Sequence, residues 1–178
     1  MEKANNITKN FLFEYFPYIF ETDLNDDREE RLEKYYYSFA ISVFDRWLSE
    51  EEADDSLDKY MWKGNYQNSC EEYKISEKKY ISFFKELNKL RDIYCFEENI
   101  DNEQKSCFYK IENTKELEQI CLLSIREEKL LKLCMPKLQL TILGSYDMTQ
   151  IVYYKEISKL SGFHDLLQKC QLYRLSRD

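Results

Sequence analysis

The chain is poor in the residues that build tight loops and metal sites. Its 178 residues include only Gly64, Gly144 and Gly162, Pro17 and Pro136, and the single histidine His164. Phosphate-cradling loops need several glycines close together, so neither a P-loop nor a dinucleotide-binding turn can be built here. One histidine and no closely spaced cysteine pair leave no ligand set for zinc. No stretch approaches the roughly 20 apolar residues that span a bilayer. Near the N-terminus, Glu14 and Pro17 interrupt the apolar run Phe11–Phe20 and no small-residue cleavage site follows. The expectation is therefore a cytoplasmic chain without a secretory leader, and with no membrane partner.

Catalytic signatures are also missing. Ser145 follows Gly144, but the G-x-S-x-G elbow is absent, and His164 reads as a surface or helix-packing residue. Asp23-Leu24-Asn25-Asp26-Asp27 imitates the start of a calcium loop, then fails where that loop needs glycine and a bidentate glutamate, at Arg28 and Lys34. No catalytic residue, metal ligand or cofactor is assigned. The six cysteines, at 70, 95, 107, 121, 134 and 170, are widely spaced and read as buried, reduced thiols acting as small hydrophobes.

What the chain has in abundance is acid mixed with aromatics. Between Glu21 and Asp58 stand fourteen Asp or Glu residues against Arg28, Arg31, Lys34 and Arg46, a local net of about −10 where the whole chain carries −8. Tyr35, Tyr36, Tyr37, Phe39, Phe44 and Trp47 are interleaved with the acid, so the stretch is not a solvating tail, which would be poor in aromatics. Direct nucleic-acid binding is not expected. The basic side chains of the C-terminal portion (Lys155, Lys159, Lys169, Arg174 and Arg177) are too dilute to overcome a field that repels phosphate.

Along the chain, Ile7, Phe11 and Tyr15 fall at helical spacing ahead of Pro17, although a strand reading of Thr8–Phe20 stays open. Leu32, Tyr36, Phe39, Ala40, Val43 and Trp47 predict one amphipathic helix over 26–49, capped by Asn25 or Asp26. Acid in its first turn is favoured by the helix dipole; Glu50, Glu51, Glu52, Asp54, Asp55 and Asp58 would then lie past its far end and need another reason. Residues 53–75 read as a loop with a short strand at Tyr60–Lys63, and Ser76 as the cap of a helix running to about Arg91. Ile93–Phe96 and Cys107–Ile111 predict an antiparallel pair.

Asn113 and Glu116 have capping-box spacing. Apolar residues from Ile120 to Cys134 give either one buried helix or two pieces broken near Arg126–Glu128. Leu138–Ile142 and Gln150–Tyr154 around Gly144-Ser145-Tyr146-Asp147 form the strongest hairpin signal, and a last helix is expected over Ile157–Cys170. This order predicts a single α+β domain over 1–178, with helices packed on a mainly antiparallel sheet.

The reading these features support is an acidic surface that binds and neutralises a basic protein, with opposite charge steering encounter and aromatics setting its lifetime. Its residues would be Asp26, Asp27, Glu30, Tyr35, Tyr36, Tyr37, Glu50, Glu51, Asp54, Asp55 and Asp58. In size, in the acidic aromatic segment 21–58 and in the hairpin at 138–154, the chain resembles in general type the bacterial immunity proteins that block toxin nucleases and phage-encoded inhibitors of host nucleic-acid enzymes. That resemblance implies a toxin or nucleic-acid enzyme as the basic partner. Two other readings are a carboxylate-metal hydrolase whose site is assembled only in three dimensions, and a docking subunit of a larger assembly.

Overall fold

A seven-stranded antiparallel sheet organises the chain in the computed structural model, which describes residues 6–19, 28–53, 71–90, 92–97, 107–129, 131–145 and 147–177. The strands are β1 (Tyr37–Ser42), β2 (Tyr94–Glu97), β3 (Cys107–Lys110), β4 (Lys132–Met135), β5 (Leu140–Gly144), β6 (Thr149–Tyr154) and β7 (Tyr173–Leu175). They lie in the order β3-β2-β4-β5-β6-β1-β7. Around the sheet are helices α1 (Asn6–Tyr15), α2 (Arg28–Tyr35), α3 (Glu71–Leu90), α4 (Thr114–Ile125) and α5 (Phe163–Lys169). The expected α+β class is the observed one.

Both faces of the sheet are covered. Phe39, Ile41, Cys95, Leu133, Ile142 and Val152 point to one side, where they pack on Tyr80, Phe83 and Leu87 of α3, Leu117 and Cys121 of α4, and Phe163 and Leu167 of α5. Phe96, Phe108, Cys134 and Tyr153 point to the other, against Leu12, Phe16, Ile19, Leu32 and Tyr36 from the N-terminal helices. A strand covered on both sides loses the in–out alternation that marks a strand in sequence.

That effect corrects the predicted helix over 26–49. The helix stops at Tyr35, and Tyr37–Ser42 is a strand paired with β6 on one side and β7 on the other. Residues 36–44 are aromatic, β-branched or serine except for Ala40, a composition that favours the pleated sheet. Phe39, Ala40, Ile41 and Ser42 are all buried, so the run mimics a helix face without being one.

Other boundaries shift for local reasons. The helix expected to start at Ser76 starts at Glu71, because Tyr73, Ser76 and Glu77 extend the buried stripe of Tyr80, Phe84 and Leu87 by one turn. Glu71 and Glu72 then sit in the first turn, where the dipole favours them. Asn113 caps α4 as its spacing predicts, its Oδ1 accepting the Glu116 N–H at 3.0 Å, while the Glu116 carboxylate reaches one residue further back and accepts the Glu112 N–H at 3.1 Å. The segment after Ile120 does break at Arg126, and its second piece is the strand β4.

The expected last helix is split by Gly162, whose φ of 80° lies in the left-handed region; a 3-10 turn (Ile157–Leu160) precedes it and α5 follows. Strand β7, three residues long, has no pattern in the sequence. The hairpin β5–β6 and the pair β2–β3 form as expected. The proposed cap at Asn25 or Asp26, the calcium-like segment Asp23–Asp27 and the strand at Tyr60–Lys63 lie outside the described residues.

Candidate functional site

The break of the helix at Tyr35 decides where the three consecutive tyrosines go. Tyr36 is a core residue, not a surface one: it is buried, stacks on Phe16 with ring centroids 5.7 Å apart and meets Tyr153 edge-on. This corrects its assignment to the binding surface. Its neighbours go outward. Tyr35 ends α2 at 48% exposure and Tyr37 opens β1 at 66%, with the Tyr37 ring held 5.6 Å from that of Tyr154. Two exposed phenols are thus fixed on either side of an aromatic anchor.

The acid beside them is on the outer face of α2. Glu30 and Glu33, three residues apart, are exposed, while Leu32 faces the core. Among the described residues neither glutamate has an ion-pair partner. Asp26 and Asp27 lie outside the described residues, as do Asp54, Asp55 and Asp58.

Glu50, Glu51 and Glu52 are placed differently from the expectation. No helix runs into them. Instead, Ser49 and Glu52 form a capping box that opens a new helical turn over residues 50–53: the Ser49 N–H donates to Glu52 Oε2 at 3.0 Å and the Glu52 N–H to Ser49 Oγ at 3.2 Å. These acids stand at a helix start, where negative charge is favourable, which removes the argument that they need a partner. Glu52 is further committed to Arg46, which donates to both of its oxygens at 2.7 Å and holds its carboxyl down to about 2. Glu50 and Glu51 stay exposed.

Strand β1 links the two halves of the segment. Tyr37 pairs with Tyr154 at one end of the strand and Ser42 with Thr149 at the other, roughly 17 Å along at about 3.3 Å per residue. Beyond Ser42 the chain turns back, and the Trp47 indole N–H donates to the Ser176 carbonyl at 2.6 Å. Glu30, Glu33 and Tyr35 are thus exposed on α2 and Tyr37 at the start of β1, with Lys34 Nζ 5.7 Å over the Tyr35 ring, while Glu50 and Glu51 stand on a separately built turn.

A second constellation, not anticipated from the sequence, lies where α3, α4 and the β5–β6 turn meet. Arg126 donates to both oxygens of the buried Glu77, at 2.6 and 3.2 Å. Glu127 accepts the Asp147 N–H at 2.9 Å, and burial raises its carboxyl above the usual range. The Ser124 hydroxyl donates to Gln150 Oε1 at 3.2 Å. Each carboxylate here already has a structural partner, and among the described residues no three His, Cys, Asp or Glu cluster as metal ligands. His164 is exposed on α5, 3.2 Å from the Gln168 amide, and among the described residues no nucleophile is hydrogen-bonded to it.

The four described thiols, Cys95, Cys121, Cys134 and Cys170, are free and buried. No protein-family model, curated protein or solved structure matches this chain.

Proposed function

We propose that this chain is a protein-binding inhibitor that neutralises a basic protein. The type is that of a bacterial immunity protein against a toxin nuclease, or a phage-encoded inhibitor of a host nucleic-acid enzyme. The observation that carries the reading is the pair of exposed tyrosines, Tyr35 and Tyr37, on either side of the buried Tyr36, in the same α2–β1 segment as the exposed Glu30 and Glu33, which have no ion pair among the described residues. Tyrosine is among the residues that anchor protein interfaces, and an aromatic already held by its neighbours loses little freedom on docking. Unpaired carboxylates in the same segment supply steering toward a positive surface. The helix carrying them is itself anchored through the buried Leu32.

The test begins with affinity capture from the native host and identification of the retained protein, followed by kinetics with that purified partner. Changing Glu30 and Glu33 together to Lys should slow association at low salt and flatten its salt dependence, with dissociation little changed. Tyr37→Ala should instead speed dissociation, at a cost of about 2 kcal/mol if the ring is an anchor. A captured partner that is not basic, or association indifferent to the charge reversal with folding intact, would remove the reading.

A further inference from the structure

On the helical side of the sheet, at the corner formed by β1, β7, the Ile157–Leu160 turn and α5, there is an open hollow of about 230 Å³. Its floor is apolar, made by Phe39, Leu160, Phe163 and Leu167, and Ile157 forms a wall at 67% exposure. Small-molecule sites usually run to about 300–1,000 Å³ and enclose their ligand. This one is smaller and open, the size of a side chain or two rather than of a whole ligand.

Its polar groups are Ser158, Ser161, His164 and Arg174, with no carboxylate among the residues that line it. Arg174 is the unusual member. Its guanidinium lies 4.5 Å above the Phe39 ring, and among the described residues it has no ion pair. Two other described arginines, Arg46 and Arg126, do have carboxylate partners, whereas Arg174 resembles the surface lysines Lys34, Lys74, Lys78, Lys79 and Lys115 in having none among the described residues. Among the described residues, the two acids nearest in sequence do not serve it: Glu156 pairs with Lys159, and Asp165 is not part of the lining. Stacking on Phe39 orients the guanidinium while leaving its planar edge of N–H donors free for a carboxylate.

We propose that this hollow seats an acidic side chain carried next to an apolar one on a partner polypeptide. The apolar group would rest on Phe39, Ile157 and Phe163, and the carboxylate would take two N–H donors of Arg174, with Ser158 or Ser161 available for a further hydrogen bond. The site shares no residue with the acidic face of α2, so either can fail without the other.

The full chain, labelled for amide NMR, can be titrated with the peptide acetyl-Ala-Phe-Glu-Ala-amide and with its Gln and Lys analogues. Saturable shifts confined to residues 157–167 and 174 are expected, with the Glu peptide bound about tenfold more tightly than the Gln peptide. Arg174→Gln should abolish that preference, and Arg174→Lys, which keeps the charge without the planar fork, should retain part of it. Because Arg174 is exposed, neither change should disturb folding, and the unshifted remainder of the spectrum checks this. Equal binding of the Glu and Gln peptides overturns the proposal, as does absence of saturable shifts up to about 10 mM peptide. Shifts at these amides that follow protein concentration alone would overturn it in favour of a second copy as occupant.

Discussion

The Glu127 carboxylate accepts the backbone N–H of Asp147 at 2.9 Å, and both residues have a left-handed backbone, φ 57° and 55°, as does Met148 at 51°. A non-glycine residue in that region costs about 1–2 kcal/mol, so a hairpin turn that uses two in succession must be held from outside. Glu127 holds its first residue. The second is held by Tyr80, whose fully buried hydroxyl lies 2.6 Å from the Met148 carbonyl and 2.8 Å from that of Ile41. Glu127→Ala should therefore lower stability by about 1–2 kcal/mol and speed hydrogen exchange at Asp147, while Glu127→Gln, which keeps the acceptor, should lose much less. Equal losses in the two variants by urea denaturation would show that the hydrogen bond does not hold the turn.

Arg126 and Glu77 tie the end of α4 to α3. The Glu77 side chain is 8% exposed and that of Arg126 24%. Removing Arg126 takes the guanidinium from the buried Glu77 carboxylate, so Arg126→Met should cost about 3 kcal/mol, and Glu77→Gln less, because Arg126 is only half-buried. The double change of Glu77→Leu with Arg126→Met should recover most of that loss, because an apolar pair carries no desolvation penalty. Urea midpoints of the three variants give the coupling directly. Additive losses would mean that the two side chains act independently.

Gln171 follows α5 with φ 56°, at the position where helices commonly end on glycine. The turn there is already bonded: the Leu172 N–H donates to the Leu167 carbonyl at 2.9 Å and the Gln171 N–H to that of Gln168 at 3.0 Å. The Gln171 side chain is exposed, so replacing it removes backbone strain without losing packing. Gln171→Gly is expected to raise stability by about 1 kcal/mol, read as an increased thermal midpoint. A lowered midpoint would contradict the strain argument.

The chemistry of particular positions explains what was legible in the sequence. The α4 cap was readable because Asn113 and Glu116 act over three residues, within reach of local chemistry. The β5–β6 hairpin was readable because Leu140 and Ile142 alternate with polar neighbours. Strand β1 was not: Phe39 and Ile41 face one core, Ala40 pairs with Leu175 on the other side, and with both faces buried the alternation vanishes. A helix through residue 49 would put Glu50–Glu52 at the end where the dipole disfavours acid. Ser49-Glu50-Glu51-Glu52 instead has the spacing of a capping box, which places these acids at a helix start. No local signal could reveal the hollow beneath Arg174, since Phe39 and Arg174 meet only when β7 joins the sheet edge.

Burial governs the thiols. It pushes Cys95 and Cys134 up to about 12 and raises Cys121 and Cys170 as well, so the nucleophilic thiolate is scarce at neutral pH. In the native protein these four should react with a disulfide reagent only as fast as the chain opens. All six cysteines of the sequence should titrate in denaturant without reductant. Recovery of two or fewer from fresh protein would overturn the reading of reduced thiols.

Acid should act on the Arg46–Glu52 clasp in a defined window. Two guanidinium N–H donors at 2.7 Å, and the Ser49 N–H, stabilise the ionised form of Glu52, so its folded value falls from 4.5 to about 2. The native state then holds its proton less readily than the unfolded chain. The clasp's stabilisation is present above about 4.5 and disappears as pH falls toward about 2. The pair is exposed, so salt should weaken the effect throughout. Denaturation curves of the wild type and Glu52→Gln should therefore converge as pH drops through this window and separate above it, with the wild type the more stable. Arg46→Met should return the Glu52 titration, followed by carboxyl NMR, toward 4.5. A Glu52 carboxyl that titrates near 4.5 in the intact protein would show that the clasp does not hold in solution, and the turn over 50–53 would then rest on Ser49 alone.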